Sequence, residues 1–209
     1  MKIRTWANSH PLILDRLEQA LLIIAYVWLL IRIWPSHLEL ENWFPLLLLF
    51  SEGLVVFFIV IRRATTEISH RPYDWAIALA GTFLALAVST GGAPLIDPAW
   101  GAIPLIVGVV IHTAAKLSLQ RSFGVVAASR GVRVKGMYRL VRHPMYAGYM
   151  LSHMGYLLLA PSLRNLLVYL CVWFLLALRI FAEERMLLRD PDYERYAHRV
   201  RFRLVPLIF

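Results

Sequence analysis

Two short polar segments in the second half of the chain carry side chains that could do chemistry. The first covers residues 142–148 and reads RHPMYAG. Pro144 suits the first turn of a helix, because the N–H that proline lacks would have no partner there. His143 would then lie at the start of that helix, where free backbone N–H groups favour an anion. The alternative from spacing alone is an ordinary membrane-helix start with an interfacial His and Tyr.

The second segment contains Arg179, Glu183 and Glu184. Arg179 and Glu183 are four residues apart and therefore share one face of a helix. Glu184 points about 100° away from Glu183, so the two carboxylates cannot serve one ligand in the same way. The alternative is an amphipathic helix at the membrane surface whose acids pair with its own arginines.

The composition limits the classes of protein that could hold these segments. Of 209 residues, 59% are hydrophobic and 17% are charged, and the formal net charge is +9. Such a chain is too apolar for a disordered protein or a soluble nucleic-acid-binding domain. The single cysteine, Cys171, excludes a disulfide framework and a cysteine-based zinc site. The sequence therefore predicts a small polytopic membrane protein, and we expect no nucleic acid and no metal among its ligands.

Six apolar runs position the two segments, since crossing the hydrocarbon of a bilayer takes roughly 17–25 helical residues. They cover residues 17–34, 43–61, 75–90, 99–117, 144–160 and 163–182. The third run is short and is expected to extend at one end, and the last two form a tight helical hairpin. Helices are expected because an open sheet cannot satisfy its backbone in lipid. The predicted fold is an all-α membrane bundle of about six transmembrane helices.

The basic residues predict how this bundle is oriented. With six spans, 20 of the 22 Lys and Arg residues fall on one side of the membrane and only Arg32 and Arg164 on the other. The positive-inside rule places the basic side, with both chain termini, in the cytoplasm. Five spans would put the last two basic segments on opposite faces, which fits the rule less well. The basic stretch 116–142 needs no nucleic acid, because attraction to anionic lipid headgroups is sufficient.

No repeat, linker or low-complexity tract divides the chain, so residues 1–209 are expected to form one domain. N-terminal helices occupy residues 1–111, and the polar segments belong to residues 112–209. Glu52, His112 and His153 lie within predicted spans. Ionisable groups inside a membrane are functional candidates by default, although each could instead be neutral and hydrogen-bonded within the bundle.

Together, the two segments resemble the isoprenylcysteine carboxyl methyltransferase family and, more distantly, the phospholipid N-methyltransferases. The resemblance rests on Arg-His-Pro-x-Tyr-x-Gly over 142–148, one helical hairpin, Arg-x-x-x-Glu-Glu over 179–184 and a Tyr-x-x-Tyr pair over 193–196. The Ser-Phe-Gly string at 122–124 also looks like the short motif that precedes them. The resemblance covers about residues 112–206, whereas residues 1–111 share only the hydropathy.

The resemblance implies an integral membrane enzyme that uses S-adenosylmethionine, yields S-adenosylhomocysteine and encloses the cofactor in its cytosolic C-terminal region. Arg179 would face the reacting group of the substrate, and the run 130–133 would form one cofactor wall, largely by its backbone. Ala128 stands where that wall is expected to carry a polar side chain. The residues that would contact the cofactor are Arg130, Gly131, Val132, Arg133, Tyr138, His143, Pro144, Met145, Tyr146 and Glu183.

The chemistry of methyl transfer leaves the acceptor atom open. The reaction is an in-line displacement at a sulfonium carbon, so the protein mainly aligns the groups and excludes water. A carboxylate needs no base, and Arg179 can hold it through two parallel hydrogen bonds. An amine or thiol must lose a proton, for which His143 and Glu184 are candidate bases. The resemblance favours a carboxylate on a lipophilic small molecule, a lipid or a prenylated substrate.

Two other functions are open at this stage. Membrane sterol and steroid reductases use NADPH and contain a similar His-Pro-x-Tyr-x-Gly stretch, but they are usually longer and the Glu-Glu pair is better explained by a methyltransferase. A non-catalytic membrane protein that retains the fold is the third possibility. The enzyme interpretation implies the plasma or inner membrane of a prokaryote or the endoplasmic reticulum of a eukaryote. The oligomeric state is left open.

Overall fold

The computed structural model describes residues 10–32, 34, 43–90 and 92–206. Over these ranges the fold is all-α, as predicted, with seven α-helices and three short 3-10 turns. The helices are α1 Pro11–Arg32, α2 Trp43–Ile61, α3 Pro72–Phe83, α4 Pro98–Leu119, α5 Pro144–Leu159, α6 Leu163–Leu187 and α7 Pro191–Arg199. The 3-10 turns are Leu84–Ala87, Gln120–Ser122 and Gly136–Arg139.

The first six helices coincide with the six predicted apolar runs, but some of their boundaries differ. α1 begins at Pro11 rather than at residue 17, because Asp15 and Glu18 are buried against arginines and continue the helix. α3 begins three residues before the predicted start and continues as a 3-10 turn to Ala87. α6 continues to Leu187, beyond the predicted end at residue 182. The predicted cytoplasmic chain ends lie outside the described residues.

Proline and N-capping side chains determine where the later helices begin. Pro144 occupies the first turn of α5, with His143 immediately before it, as the sequence predicted. The carboxylates of Asp97 and Asp190 accept hydrogen bonds from the first-turn N–H groups of α4 and α7. Ser162 caps α6 by accepting the backbone N–H of the residue three positions on, at 3.0 Å. This cap fixes the turn between α5 and α6.

α4 and α5 run antiparallel and pack with their backbones in contact. Glycines at three positions make this possible, because a Cβ at any of them would lie within 2.6 Å of a backbone nitrogen on the facing helix. Gly108 faces Ser152, Gly148 faces His112, and Gly155 faces Leu105. Small residues at such positions allow two helices to approach closely. The contact brings His112 beside the helix that begins at the RHPMYAG segment.

α6 buries one stripe and leaves an apolar stripe exposed. Val172, Leu176 and Ile180 are buried, whereas large apolar side chains on the other face are between 48% and 72% exposed. These exposed side chains are Leu163, Leu167, Leu170, Phe174 and Phe181. An apolar surface of this extent contacts lipid or another protein. Among the described residues, α6 and the span Pro98–Ser122 are long and apolar enough to cross a membrane.

The loops that follow α2 and α4 meet at one end of the helices. Ile68 and Ala128 form an isolated antiparallel β-bridge. Next to this bridge, the Ser69 N–H donates to the Ala127 carbonyl at 2.9 Å. These contacts place residues 123–130, which precede the RHPMYAG segment, against the N-terminal half of the chain.

Candidate functional site

A cavity of about 450 Å³ extends from these loops into the helices, within the range of roughly 300–1,000 Å³ that is usual for small-molecule sites. Two of the twelve predicted site residues, Pro144 and Glu184, do not line this cavity. The other ten do: Arg130, Gly131, Val132, Arg133, Tyr138, His143, Met145, Tyr146, Arg179 and Glu183. Residues from three separate stretches of the sequence therefore meet at one site.

The Glu183 carboxylate lies at the centre of the polar groups at the start of α5. The Tyr146 hydroxyl donates a hydrogen bond to Glu183 Oε1, and His143 Nδ1 lies 3.6 Å from Oε2. The His143 and Tyr146 rings are stacked, with 5° between their planes. Because the side chain of Glu183 is 20% exposed, its oxygens are accessible to a ligand in the cavity.

Glu184 faces away from the cavity and contacts protein cations instead. Its Oε1 lies 3.1 Å from Arg142 Nε and 3.3 Å from His143 Nε2, and its Oε2 accepts from Arg203 Nε at 2.8 Å. The two adjacent glutamates thus have different surroundings: Glu183 lines the cavity, whereas Glu184 does not and contacts two residues that do, Arg142 and His143. Among the described residues, no group of three or more His, Cys, Asp and Glu side chains is arranged to hold a metal ion.

Arg179 is held by three parts of the fold while its charge remains at the cavity wall. Its Nη2 donates to the Val125 carbonyl at 2.9 Å, and its Nη1 donates to Thr82 Oγ1 at 3.2 Å. The guanidinium lies 5.1 Å from the centre of the Tyr146 ring and 3.9 Å from Glu183 Oε1. A buried arginine fixed in this way presents a cation in one defined position.

Three tyrosines close the loop end of the cavity. The Tyr196 hydroxyl donates to the Tyr138 carbonyl at 2.7 Å, which ties α7 to the 3-10 turn Gly136–Arg139. Burial raises the pKa of the Tyr138 phenol well above its usual value, and the charge of Glu183 adds to this, so the phenol stays neutral. The Tyr193 hydroxyl also lies at this end, buried and without a hydrogen-bond partner among the described residues.

The sequence did not predict a buried charge cluster that joins α1 to the cavity wall. Arg62 and Arg130 both contact Asp15 Oδ1, at 2.9 and 2.6 Å, and Glu18 Oε2, at 2.9 and 3.0 Å. Burial lowers the pKa of the Arg62 guanidinium, whereas the charge of Glu18 raises it. Two acids and two arginines leave the cluster without net charge.

The cluster also positions the backbone that Arg179 contacts. Glu18 Oε1 accepts the N–H groups of Val125 and Val126 at 3.0 and 2.9 Å. The carbonyl of Val125 then accepts the Arg179 hydrogen bond. The available sequence signal was two acids three residues apart, on one face of a largely apolar helix, where a buried acid requires a cation.

The three ionisable residues from the predicted spans, Glu52, His112 and His153, line the same cavity. Glu52 Oε1 lies 3.0 Å from Lys116 Nζ, which is fully buried in α4. Ser51 Oγ lies 3.0 Å from the same ammonium and 3.4 Å from His112 Nδ1. The cavity therefore has a second polar region, within the helices and away from Glu183.

Comparisons with known proteins agree with the motifs. Residues 97–190 match the family model described as phospholipid methyltransferase. Two proteins named probable protein-S-isoprenylcysteine O-methyltransferase, from Oryza sativa subsp. indica and Oryza sativa subsp. japonica, are each 32% identical to this chain over 108 residues. The match covers 48% of this chain and 56% of each rice protein, so it spans only about half the length of these relatives.

The matched region contains α4, α5, α6 and the loops between them, and therefore most of the cavity wall. It also contains the RHPMYAG segment and the Arg-x-x-x-Glu-Glu string on which the resemblance was based. The family resemblance predicted from these motifs is confirmed. Residues 97–190 of this chain are similar to the phospholipid methyltransferases, and about half of the chain is similar to the two rice proteins.

Proposed function

We propose that this chain is an integral membrane methyltransferase that uses S-adenosylmethionine and methylates a carboxylate on a lipophilic acceptor. The observation that carries the proposal is the meeting of residues 130–133, 143–146 and 179–183 around one cavity. The family match supports methyl transfer. The name of the rice proteins supports a carboxylate on a prenylated or similarly lipophilic molecule.

The loop end of the cavity offers the donors and acceptors that S-adenosylmethionine needs. Glu183 supplies accessible carboxylate oxygens for an amino group or for ribose hydroxyls. His143 and the positive N-terminal end of the α5 helix dipole suit a carboxylate. The Tyr193 hydroxyl has no hydrogen-bond partner among the described residues, so it is a further donor for a bound molecule. When bound, this cofactor would supply an electrophilic methyl group on a cationic sulfur.

The remaining residues would orient the acceptor and keep water out. Arg179 is fixed by Val125 and Thr82, so it can hold an acceptor carboxylate without a loss of side-chain freedom on binding. A carboxylate acceptor requires no base. For an amine or thiol acceptor, His143 would take the proton, and Glu184 would act as a positioning residue behind the His143 ring.

The orientation in the membrane is part of the proposal. We propose that six helices cross the bilayer, with the loop end of the cavity, both chain termini and the cofactor site in the cytoplasm. This orientation gives a water-soluble cofactor access from the cytosol and gives a lipophilic acceptor access from the bilayer. The basic loops would also attract anionic lipid headgroups.

Binding measurements on the purified protein in detergent would test the function. We expect S-adenosylhomocysteine to bind and NADPH not to bind. Glu183→Ala should abolish S-adenosylhomocysteine binding, whereas Glu194→Ala, at an exposed position on α7, should leave it unchanged. Labelled methyl transfer to a membrane lipid extract, followed by mass analysis, would then identify the acceptor.

Each alternative has its own signature in this experiment. Binding of NADPH alone would overturn the proposal in favour of a reductase. S-adenosylhomocysteine binding that is unchanged in both Glu183→Ala and His143→Ala would place the cofactor elsewhere and remove the basis of the proposed site.

A further inference from the structure

We infer that the second polar region of the cavity is a subsite for an uncharged, hydrogen-bond-accepting oxygen on the acceptor, of the ketone, ester or ether type. His112 on α4 and His153 on α5 form this subsite, and both line the cavity. The inference rests on the proposed function, because it describes the acceptor of the same reaction more closely.

His153 is held in one tautomer by the residue behind it. Trp173 Nε1, which can only donate, lies 3.2 Å from His153 Nδ1. The Nδ1 atom must therefore accept, and the neutral imidazole carries its proton on Nε2. The Tyr169 ring stacks on this imidazole with centroids 4.2 Å apart, which fixes its plane. The hydrogen bond of His153 within the described residues is made by Nδ1, which leaves Nε2 free for a ligand, and His153 lines the cavity.

The Ser51 hydroxyl favours the same tautomer in His112. The Ser51 hydroxyl accepts from Thr113 Oγ1 at 2.9 Å and from Lys116 Nζ at 3.0 Å. With both of its lone pairs used, its own proton is available to His112 Nδ1, 3.4 Å away. When Nδ1 accepts this bond, the His112 proton lies on Nε2, which makes no hydrogen bond within the part of the chain that the structure describes.

The geometry of the two helices brings these donors toward each other. His112 lies level with Gly148, five residues before His153 on the antiparallel α5. Because side chains lean toward the N-terminus of their own helix, His112 and His153 lean toward each other. Tyr149, one turn before His153, has its ring 4.7 Å from the His112 ring. His153 follows Tyr146 by seven residues, so the subsite lies about 10 Å along α5 from Tyr146, whose hydroxyl contacts Glu183.

The charged groups around the subsite favour an uncharged oxygen over an anion. Glu52 and Lys116 form an ion pair at 3.0 Å, so this region carries no net charge. An anionic group would meet the Glu52 carboxylate, because Lys116 is already paired. A plain hydrocarbon chain in the cavity would cover two N–H donors and leave them without partners, which is unfavourable. A ketone, ester or ether oxygen satisfies the donors without adding charge.

A matched pair of lipophilic acids tests the subsite in the full-length protein in detergent. The probes are palmitic acid and a ketopalmitic acid whose ketone lies about 10 Å from the carboxylate, the separation given by the rise of α5. With S-adenosylhomocysteine present, we expect the keto acid to bind roughly ten-fold more tightly, as for a buried donor that gains its partner.

Two variants and one control separate the subsite from general structural effects. His153→Phe keeps a planar ring but has no N–H donor, so it should bring the affinity ratio near one, mainly by weakening keto-acid binding. His112→Phe should do the same and decides the matter if the first variant does not fold. His198→Phe, at an exposed position on α7, should keep the wild-type ratio. A structural defect would weaken both acids alike and leave the ratio unchanged.

The subsite and the proposed function fail in different ways. Equal binding of the two acids by the wild-type protein, or a ratio that survives both histidine variants, overturns the subsite. Methyl transfer to both acids with equal efficiency also overturns it, while the proposed function stands. A ten-fold ratio that is lost in the variants, without transfer to either acid, supports the subsite and contradicts carboxyl methylation.

Discussion

Glu183 and Glu184 are neighbours in the sequence, yet one faces the cavity and the other is enclosed by cations. The angle between successive helical side chains, about 100°, made this separation predictable. The partners of Glu184 were not predictable in the same way. Arg203 lies beyond α7 and reaches Glu184 only because the chain turns back after that helix.

We predict opposite phenotypes for Glu183→Gln and Glu184→Gln. Glu183→Gln should raise the Kd for S-adenosylhomocysteine by roughly 10- to 100-fold, since a charge-assisted hydrogen bond contributes about 1.5–3 kcal/mol. Glu184→Gln leaves the buried Arg142 without its counter-ion and should lower stability by about 3 kcal/mol. Calorimetric binding and thermal unfolding in detergent measure the two effects. The same loss of binding in both variants, with equal stability, would contradict the assignment.

At the scale of elements, the start of α5 was predictable and its packing was not. Pro144 determines where α5 begins, and that rule is local. The pairing of Gly148 with His112 and of Gly155 with Leu105 depends on how two distant helices meet. A glycine in a helix does not reveal which backbone will approach it. The sequence therefore predicted the helices but not the register that forms the cavity.

Gly155 and Gly53 form a matched pair for testing this register. A Cβ at Gly155 would lie 2.3 Å from the Leu105 backbone nitrogen, whereas a Cβ at Gly53 has nothing within 4 Å. Gly155→Ala should destabilise the protein by about 1–3 kcal/mol, because α4 and α5 must separate. Gly53→Ala should be neutral or stabilising by up to about 1 kcal/mol, since alanine is the better helix former. Thermal unfolding of both variants in detergent is the measurement, and similar stabilities would contradict the close contact.

The contact of α1 with the cavity wall is a second element-scale feature, and we predict that it supports the proposed cofactor site. Glu18→Gln weakens the acceptor for Val125 and Val126 and removes one charge from a buried four-residue cluster. We expect a loss of about 3–5 kcal/mol in stability, as for other broken buried ion pairs. S-adenosylhomocysteine should also bind several-fold more weakly, although Glu18 does not line the cavity.

The control for Glu18 is Glu67→Gln, an exposed acid on the loop that pairs with residues 127–129. Its side chain is in solvent, so both stability and binding should stay at the wild-type values. Weaker binding in Glu18→Gln at a temperature where the protein is fully folded would support a positioning role. Unchanged binding there would show that the cluster contributes stability alone.

At the scale of the whole molecule, the basic loops and the polar Glu183 end of the cavity lie at the same end of the helices. The basic loops and the C-terminal segment lie at the Glu183 end, where Arg142 N–H donates to the Phe202 carbonyl at 2.9 Å. The opposite end contains the Asn165 side chain, which holds Ser89 and Ala160 through their carbonyls. The counts of basic residues predicted from the sequence that these loops share one end, and the cytoplasmic location of that end stays a prediction. The cavity that connects the loop end to His153 depends on side chains from many segments and required the structure.

The number of crossings is the property of the whole molecule that a labelling experiment can decide. By length and composition, α4 extended through Ser122 and α6 could each cross a bilayer. The 16 residues of α5 span about 24 Å, less than the roughly 30 Å of hydrocarbon. If α4, α5 and α6 all cross, residues 93 and 194 lie on opposite sides. If only α4 and α6 cross, the two residues lie on the same side.

We predict opposite sides, because α5 is fixed along α4 by the glycine contacts and cannot lie in the membrane plane. In a Cys171→Ser background, Ala93→Cys and Glu194→Cys each place one thiol at an exposed position. A membrane-impermeant maleimide added to right-side-out vesicles should label the first variant and not the second, and inverted vesicles should reverse the result. Labelling of both from one side would mean an even number of crossings between them. A cytoplasmic Glu183 end could not then be combined with the six-helix orientation that the basic residues predict.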